Sequence, residues 1–165
     1  MATPRHSVIC SEADVRGLVI FGHNTVVHPY CRIFSEGGGP ITIGNNNILE
    51  GSIINRTAEP IVIGDDNVFE VGCVFEGVRV GNGCVIEVKA VVAPGTTLGD
   101  NCVVGAKCST HPNEQVPSNT VIYGEGNLRR LQTKATRQQA NLHTRHLDYL
   151  KEILPKYHNM RSQSL

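Results

Sequence analysis

The chain holds 165 residues, 5% of them aromatic and none Trp, with a formal net charge of zero. That length allows one domain with a real core plus an appendage, and no apolar run approaches the roughly 18 residues of a membrane span, which excludes direct membrane insertion. No basic cluster is interleaved with aromatics, which argues against nucleic acid as a partner.

The charge is unevenly spread. Residues 1–124 carry seven Lys/Arg against twelve Asp/Glu, and residues 125–165 carry eight against three. A basic tail beside an acidic body can dock on that body or on an acidic partner. Met1 to Cys10 lacks the long apolar region of a signal peptide, so a cytoplasmic protein is expected.

Along the chain, apolar anchors recur every sixth residue: Ile9, Val15, Phe21, Val27 and Ile33, then Ile43 and Leu49, then Ile63, Phe69 and Phe75. A third run holds Val80, Ile86, Val92, Leu98 and Val104; the register then skips Thr110 and resumes at Val116 and Ile122. Around each anchor the residues alternate apolar and polar, as in Ile41-Thr42-Ile43, the pattern of a short strand with one buried face. Turn formers follow, as in Gly44-Asn45-Asn46 and Gly99-Asp100-Asn101, and these tolerate positive φ. Three strands and three corners close one triangular coil, so the hexad predicts an all-β solenoid, a parallel β-helix of about six coils.

Two steps depart from six. Ile33 to Ile43 spans Ser35-Glu36-Gly37-Gly38-Gly39-Pro40, and Leu49 to Ile63 contains Arg56-Thr57-Ala58-Glu59-Pro60. Both read as loops bulging from corners, where solenoids often place binding determinants. Cys31, Cys73, Cys84, Cys102 and Cys108 each stand four residues after an anchor, a slot shared with Ala13, Thr25, Ala90, Thr96 and Thr120. The slot asks for a small buried side chain, and without a Cys-x-x-Cys pair neither zinc nor a disulfide framework is expected. Glu50, Glu70, Glu76 and Glu87 follow anchors directly. They predict a stacked acidic ladder on one corner, either solvated turn charge or a docking face.

Beyond Gly126 the pattern changes. Residues 1–126 form the predicted β-helix, 127–139 a linker, and 140–165 a C-terminal amphipathic helix and tail. Leu142, Leu147, Leu150, Ile153, Leu154 and Tyr157 recur at helical spacing. Pro155 is expected to end or kink the helix, which should pack on the solenoid or bind a partner.

Hexapeptide repeats of this kind resemble those of left-handed β-helices, among them acyltransferases and γ-class carbonic anhydrases, and that resemblance implies the left hand. A zinc site of the carbonic-anhydrase type needs three histidines. The repeat region offers His23, His28 and His111, with His23 and His28 in successive hexads and therefore on different faces. His143 and His146, three apart on the helix, have a spacing that could bind metal, although solvated surface is the simpler reading. An acyltransferase needs an oriented general base, and His111 in the irregular stretch Thr110–Glu114 is the candidate.

More specific signals lie outside the hexad. Asp66-Asn67-Val68-Phe69-Glu70-Val71-Gly72-Cys73, the exit Asn119-Thr120-Val121-Ile122-Tyr123-Gly124 with Leu128-Arg129-Arg130, and the tail segment Ile153-Leu154-Pro155-Lys156-Tyr157-His158 resemble the dynactin subunit 6 family. The resemblance implies a non-enzymatic, cofactor-free, hexapeptide-repeat subunit of the dynactin pointed end. It would pair with the related β-helix of dynactin subunit 5 and other pointed-end subunits, in the cytoplasm and on the cytoskeleton, in support of dynein-driven microtubule transport and the engagement of cargo or adaptors. Candidate partner contacts are the acidic corner (Glu50, Glu70, Glu76, Glu87) and the basic exit (Arg129, Arg130). The alternative function is a hexapeptide-repeat acyltransferase or a γ-carbonic-anhydrase-like enzyme.

Overall fold

The computed structural model describes residues 6–132 and 137–161. It is a parallel β-solenoid of about six turns, closed by three sheets of eight, five and six strands and followed by one helix, Arg137–Tyr157. The first face runs from Val8–Ile9 to Thr120–Tyr123, the second from Asp14–Arg16 to Val91–Val92, and the third from Val19–Phe21 to Gln115–Val116. All coil-to-coil pairing is parallel. Thr120–Tyr123 pairs antiparallel with Leu128–Leu131, and an isolated antiparallel bridge joins Cys10 to Met160.

The hexad anchors point inward as the spacing requires. Val27, Leu49, Phe69, Ile86 and Val104 stack on the first face; Ile33, Phe75 and Val92 on the second; Ile43, Ile63, Val80 and Leu98 on the third; all are buried. At Thr110 the register is kept rather than skipped. Thr110 is buried, accepts the Ala93 amide at 2.9 Å and bonds Thr96 Oγ1 at 2.9 Å. A polar residue fills the anchor position because a neighbouring hydroxyl and an amide satisfy it.

The fourteen-residue step hides a further anchor. Ile53 is buried in register with Ile33 and Phe75, so the corner Glu50-Gly51-Ser52 is shortened and the extra length lies after Asn55. The two insertions, residues 36–40 and 56–60, stack as one shelf: Gly39 donates to Thr57 O at 3.0 Å, and the buried Asn55 amide donates to Gly39 O at 3.0 Å and Glu59 O at 2.8 Å.

Corners are held by side-chain ladders. The His23 amide donates to Asn45 Oδ1 (2.7 Å), Asn45 to Asp65 (2.7 Å), Asp65 to Asn82 (2.8 Å), Asn82 to Asp100 (2.8 Å), and Asp100 to Ser118 Oγ (2.9 Å). The slot four after the third-face anchor holds Thr25, Asn47, Asn67, Cys84, Cys102 and Thr120. Smallness is therefore not its whole requirement. Asn47 and Asn67 donate to the corner carbonyls of Gly64 and Gly81, and the thiols of Cys84 and Cys102 donate to Gly99 O and Pro117 O. All six cysteines are free and buried.

Part of the stretch expected as linker is ordered strand, Leu128–Leu131, because it finds the last first-face strand as a partner. Residues 133–136 and the tail residues 162–165 lie outside the described residues. The helix begins at Arg137, ahead of the expected residue 140, and passes through Pro155 to Tyr157 rather than ending there. In the last turn a proline removes a single helical hydrogen bond and leaves few following residues to displace.

Candidate partner-binding surfaces

The first face carries an apolar column on its outside as well as its inside, including Val26, Ile48 and Val68 in adjacent coils. The helix lies on this column. Leu147, Leu150 and Leu154 bury against Cys10, Val26 and Ile48, with Val68, Ile153 and Met160 packed beside them. Polar contacts fix the ends. His143 Nε2 lies 2.6 Å from Asn46 O, Lys151 donates to Asn24 Oδ1, and past the helix Arg161 N donates to Ile9 O at 2.8 Å. Between the first half of the helix and the sheet lies a cleft of about 800 Å³ lined by Asp66, Val68, Val85, Asp100, Leu142 and His146.

Four of the chain's seven histidines lie along this seam. His28 is the most enclosed. Its Nε2 sits 3.5 Å from a Glu50 oxygen and has no hydrogen-bond partner among the described residues. Burial pushes its pKa below the usual histidine range; Glu50 pulls it up, and His146 and His158 add to the lowering. His158 Nδ1 lies 3.9 Å from Glu12.

Three of the four predicted corner acids form a ladder. The amides of Glu50, Glu70 and Glu87 donate to Phe69, Ile86 and Val104, one coil on, so the three carboxylates stack on the corner between the first and second faces. Burial, then Glu87, then Glu50 push the Glu70 carboxyl up. Glu76 is not in the ladder: it follows Phe75, an anchor of the second face, and accepts Arg56 Nη1 at 2.6 Å beside the shelf.

The basic exit is engaged internally. Arg129 makes a two-pronged contact with Glu114, at 2.8 and 2.6 Å, and Arg130 lies 5.6 Å over the Tyr123 ring. Burial raises the Glu114 carboxyl, but the hydrogen bonds from Arg129 and from the His111 amide outweigh it and leave its pKa below the usual range. His111 contributes its backbone here while its ring is exposed, and His23 is exposed on another corner. Among the described residues, no group of three or more His, Cys, Asp or Glu could hold a metal ion. No helix among them is long and apolar enough to cross a membrane.

The outside of the third face lies beyond the residues that the sequence pattern singles out. Ile20, Thr42, Val62, Arg79, Thr97 and Gln115 line up there in successive coils, with Ile20 47% and Val62 38% exposed. Leu18, 56% exposed, stands two residues before Ile20 at the edge of the same face. The signal was present in the outward position of each strand, but alternation assigns that position to solvent and gives no reason to inspect it.

Comparison with known proteins agrees with the repeat and extends beyond it. The profile described as "Bacterial transferase hexapeptide (six repeats)" matches residues 77–112. Dynactin subunit 6 of Danio rerio is 44% identical, over 94% of this chain and 84% of that protein. Dynactin subunit 6 of Nematostella vectensis is 43% identical, over 96% and 90%. Among solved structures, a hexapeptide transferase family protein from Anaplasma phagocytophilum superposes with a TM-score of 0.68 at 13% identity, covering 95% of this chain and 98% of that one. At that identity the likeness is one of fold.

Proposed function

The chain belongs to the dynactin subunit 6 family, and from that premise we propose that it is a non-catalytic structural subunit of the dynactin pointed end. In this reading it pairs with the β-helix of dynactin subunit 5 and supports dynein-driven transport and the engagement of cargo or adaptors, in the cytoplasm and on the cytoskeleton. The observation that carries the reading is identity of 43–44% across solenoid, exit and helix together, far more than a shared hexad demands.

The histidines favour it over the enzyme reading. A general base needs a reaction-facing ring with an orienting partner. His28 is enclosed under the helix, and the carboxylate nearest His111 is taken up by Arg129 and by the His111 amide.

Glu50, Glu70 and Glu87 are the partner contacts we retain, for a basic surface, together with Arg130. Glu76 and Arg129 serve the fold first, through Arg56 and Glu114. The test is the mass and metal content of the purified chain, alone and mixed with dynactin subunit 5. A metal-free one-to-one complex is expected. A self-sufficient homotrimer that carries zinc or transfers an acyl group, indifferent to subunit 5, would overturn the reading. In the complex, charge reversal at Glu50, Glu70 and Glu87 should weaken pairing without lowering the melting temperature, whereas reversal at Arg129 should lower it.

A further inference from the structure

The eight-stranded sheet of the first face ends differently on its two sides. At the start of the solenoid the edge strand Val8–Ile9 is closed by the chain's own tail. Cys10 bridges Met160 antiparallel, the Arg161 amide donates to Ile9 O at 2.8 Å, and the Ser11 amide donates to Asn159 O at 2.8 Å. At the far end the edge strand is Leu128–Leu131, four residues long and exposed at every position. Nothing among the described residues pairs with its outer side.

The backbone of that edge suits one kind of occupant. Gly105 N, in the preceding coil, donates to Ile122 O at 2.8 Å, whereas the Gln132 amide donates to Asn119 O at 2.6 Å. Successive residues of a strand turn their backbone groups to opposite sides, so Val121 and Tyr123 are the residues that bond Arg130 and Leu128. The amides and carbonyls of Arg129 and Leu131 therefore point away from the sheet. An added strand satisfies donors and acceptors in that alternation. Edges built to resist pairing carry proline, lysine or a bulge. This one carries none of them, and Glu114 holds the charge of Arg129 in a salt bridge.

The side chains narrow the choice of strand. Leu131 is 66% exposed and Leu128 56%, with Tyr123 beside them at 40%. Arg130 stands over the Tyr123 ring and, unlike Arg129, meets no carboxylate among the described residues. A second copy of this edge would set arginines against arginines, which disfavours self-pairing. A segment that alternates acidic with apolar residues matches it, acidic on the side of Arg130 and apolar on the side of Leu131.

We propose that Leu128–Leu131 is a docking edge for an extended acidic strand of a partner protein, which adds itself to the first-face sheet. The inference goes beyond pairing with dynactin subunit 5: it concerns an extended segment rather than a solenoid, and it stands whether or not that pairing does.

The test titrates the isotopically labelled full chain with a synthetic peptide that alternates valine and glutamate, and reads amide exchange by NMR. Exchange at the Arg129 and Leu131 amides should slow about threefold or more at about millimolar peptide, while Leu128 and Arg130, already bonded to the neighbouring strand, change little. Arg130→Glu should weaken this peptide about fivefold and favour a valine–lysine counterpart. Leu131→Pro, which removes an amide hydrogen that the fold leaves unused, should abolish binding of both. Should that variant fail to fold, the valine–glutamate peptide N-methylated throughout, which cannot pair, takes its place as the control. Unchanged exchange at Arg129 and Leu131 in the folded wild-type chain overturns the inference, as does binding that survives Leu131→Pro or N-methylation.

Discussion

The amide of Cys102 points at the sulfur of Cys84, one coil away, across 3.4 Å. Each thiol then donates to the carbonyl of a corner glycine or proline, Gly99 O at 3.0 Å and Pro117 O at 3.2 Å. These cysteines stand in a row with Asn47 and Asn67, which make the same bond with an amide. The thiols are thus structural, and their enclosure, at 1% exposure each, should silence them by keeping reagents out, even though the Cys84 hydrogen bond outweighs burial and holds the Cys102 thiol down at about 7. The native chain is expected to react with essentially none of its thiols on addition of an aromatic disulfide reagent, and with all six in denaturant. Cys84→Ala should cost about 1 kcal/mol, the net worth of one hydrogen bond with a small void, and Cys84→Leu about 1–3 kcal/mol through overpacking. Rapid native labelling would refute the assignment.

Gly51 makes the shortened corner possible. A Cβ placed there would fall 2.2 Å from Cys73 Sγ and 2.8 Å from Cys73 O. Neither a buried sulfur nor the backbone can move without opening the coil. Gly51→Ala should therefore destabilise by about 2 kcal/mol or more, within the range of overpacked cores, as measured by urea unfolding. Gly38→Ala, where nothing lies within 4 Å although φ is +92°, separates backbone strain from steric overlap.

Corner residues with positive φ are mostly Asn, Asp or Gly, but Tyr30, Lys89 and Lys107 share the conformation, at 66°, 59° and 61°. A side chain in this region costs roughly 1–2 kcal/mol, and glycine removes that cost while adding unfolded-state entropy. Lys89→Gly should leave a net gain of about 0.5–1 kcal/mol in the same unfolding measurement. A loss would mean that the lysine side chain makes a contact worth more than the strain.

Much of this was legible from the hexad. Inward and outward positions, the three-sided coil and the turn formers all follow from a period of six, because strand alternation and corner geometry repeat with it. The spacing failed where length and register part company. Between Leu49 and Ile63 a corner lost residues and a loop gained them, and the count alone could not reveal Ile53 as an anchor. Glu76 was misplaced for a related reason: following an anchor says nothing of which face that anchor serves. Thr110 looked like a gap because its apolar role is met by hydrogen bonds. The seam of histidines was invisible because His28 and His146 meet only once the helix folds back.

That seam predicts a pH dependence. The unfolded His28 takes up its proton near pH 6.5, whereas burial, against the pull of Glu50 and with His146 and His158 adding to it, holds the folded ring below that value. Between the two values the unfolded state binds more protons, so stability falls as pH drops from about 7 through this window. The Leu147–Leu154 segment should lose hydrogen-exchange protection as pH is lowered from about 7.5 to 5.5. His28→Gln should flatten that slope, and an unchanged slope would place its origin elsewhere on the helix.

Glu70 titrates with the opposite sign. Burial and the carboxylates of Glu87 and Glu50 hold its folded pKa above the unfolded value near 4.3. Between those values the folded chain binds more protons, so its contribution to stability is full at lower pH and is lost as pH rises through the folded pKa. Glu70→Gln removes the charge and keeps the shape. Its melting temperature should exceed that of wild type at about pH 7 and match it at about pH 4, where the native side chain is itself largely protonated. If the variant gains nothing at pH 7, then the ladder carries no repulsion for a partner's cations to relieve. Glu50, Glu70 and Glu87 would then lose the physical ground on which they stand as a contact surface.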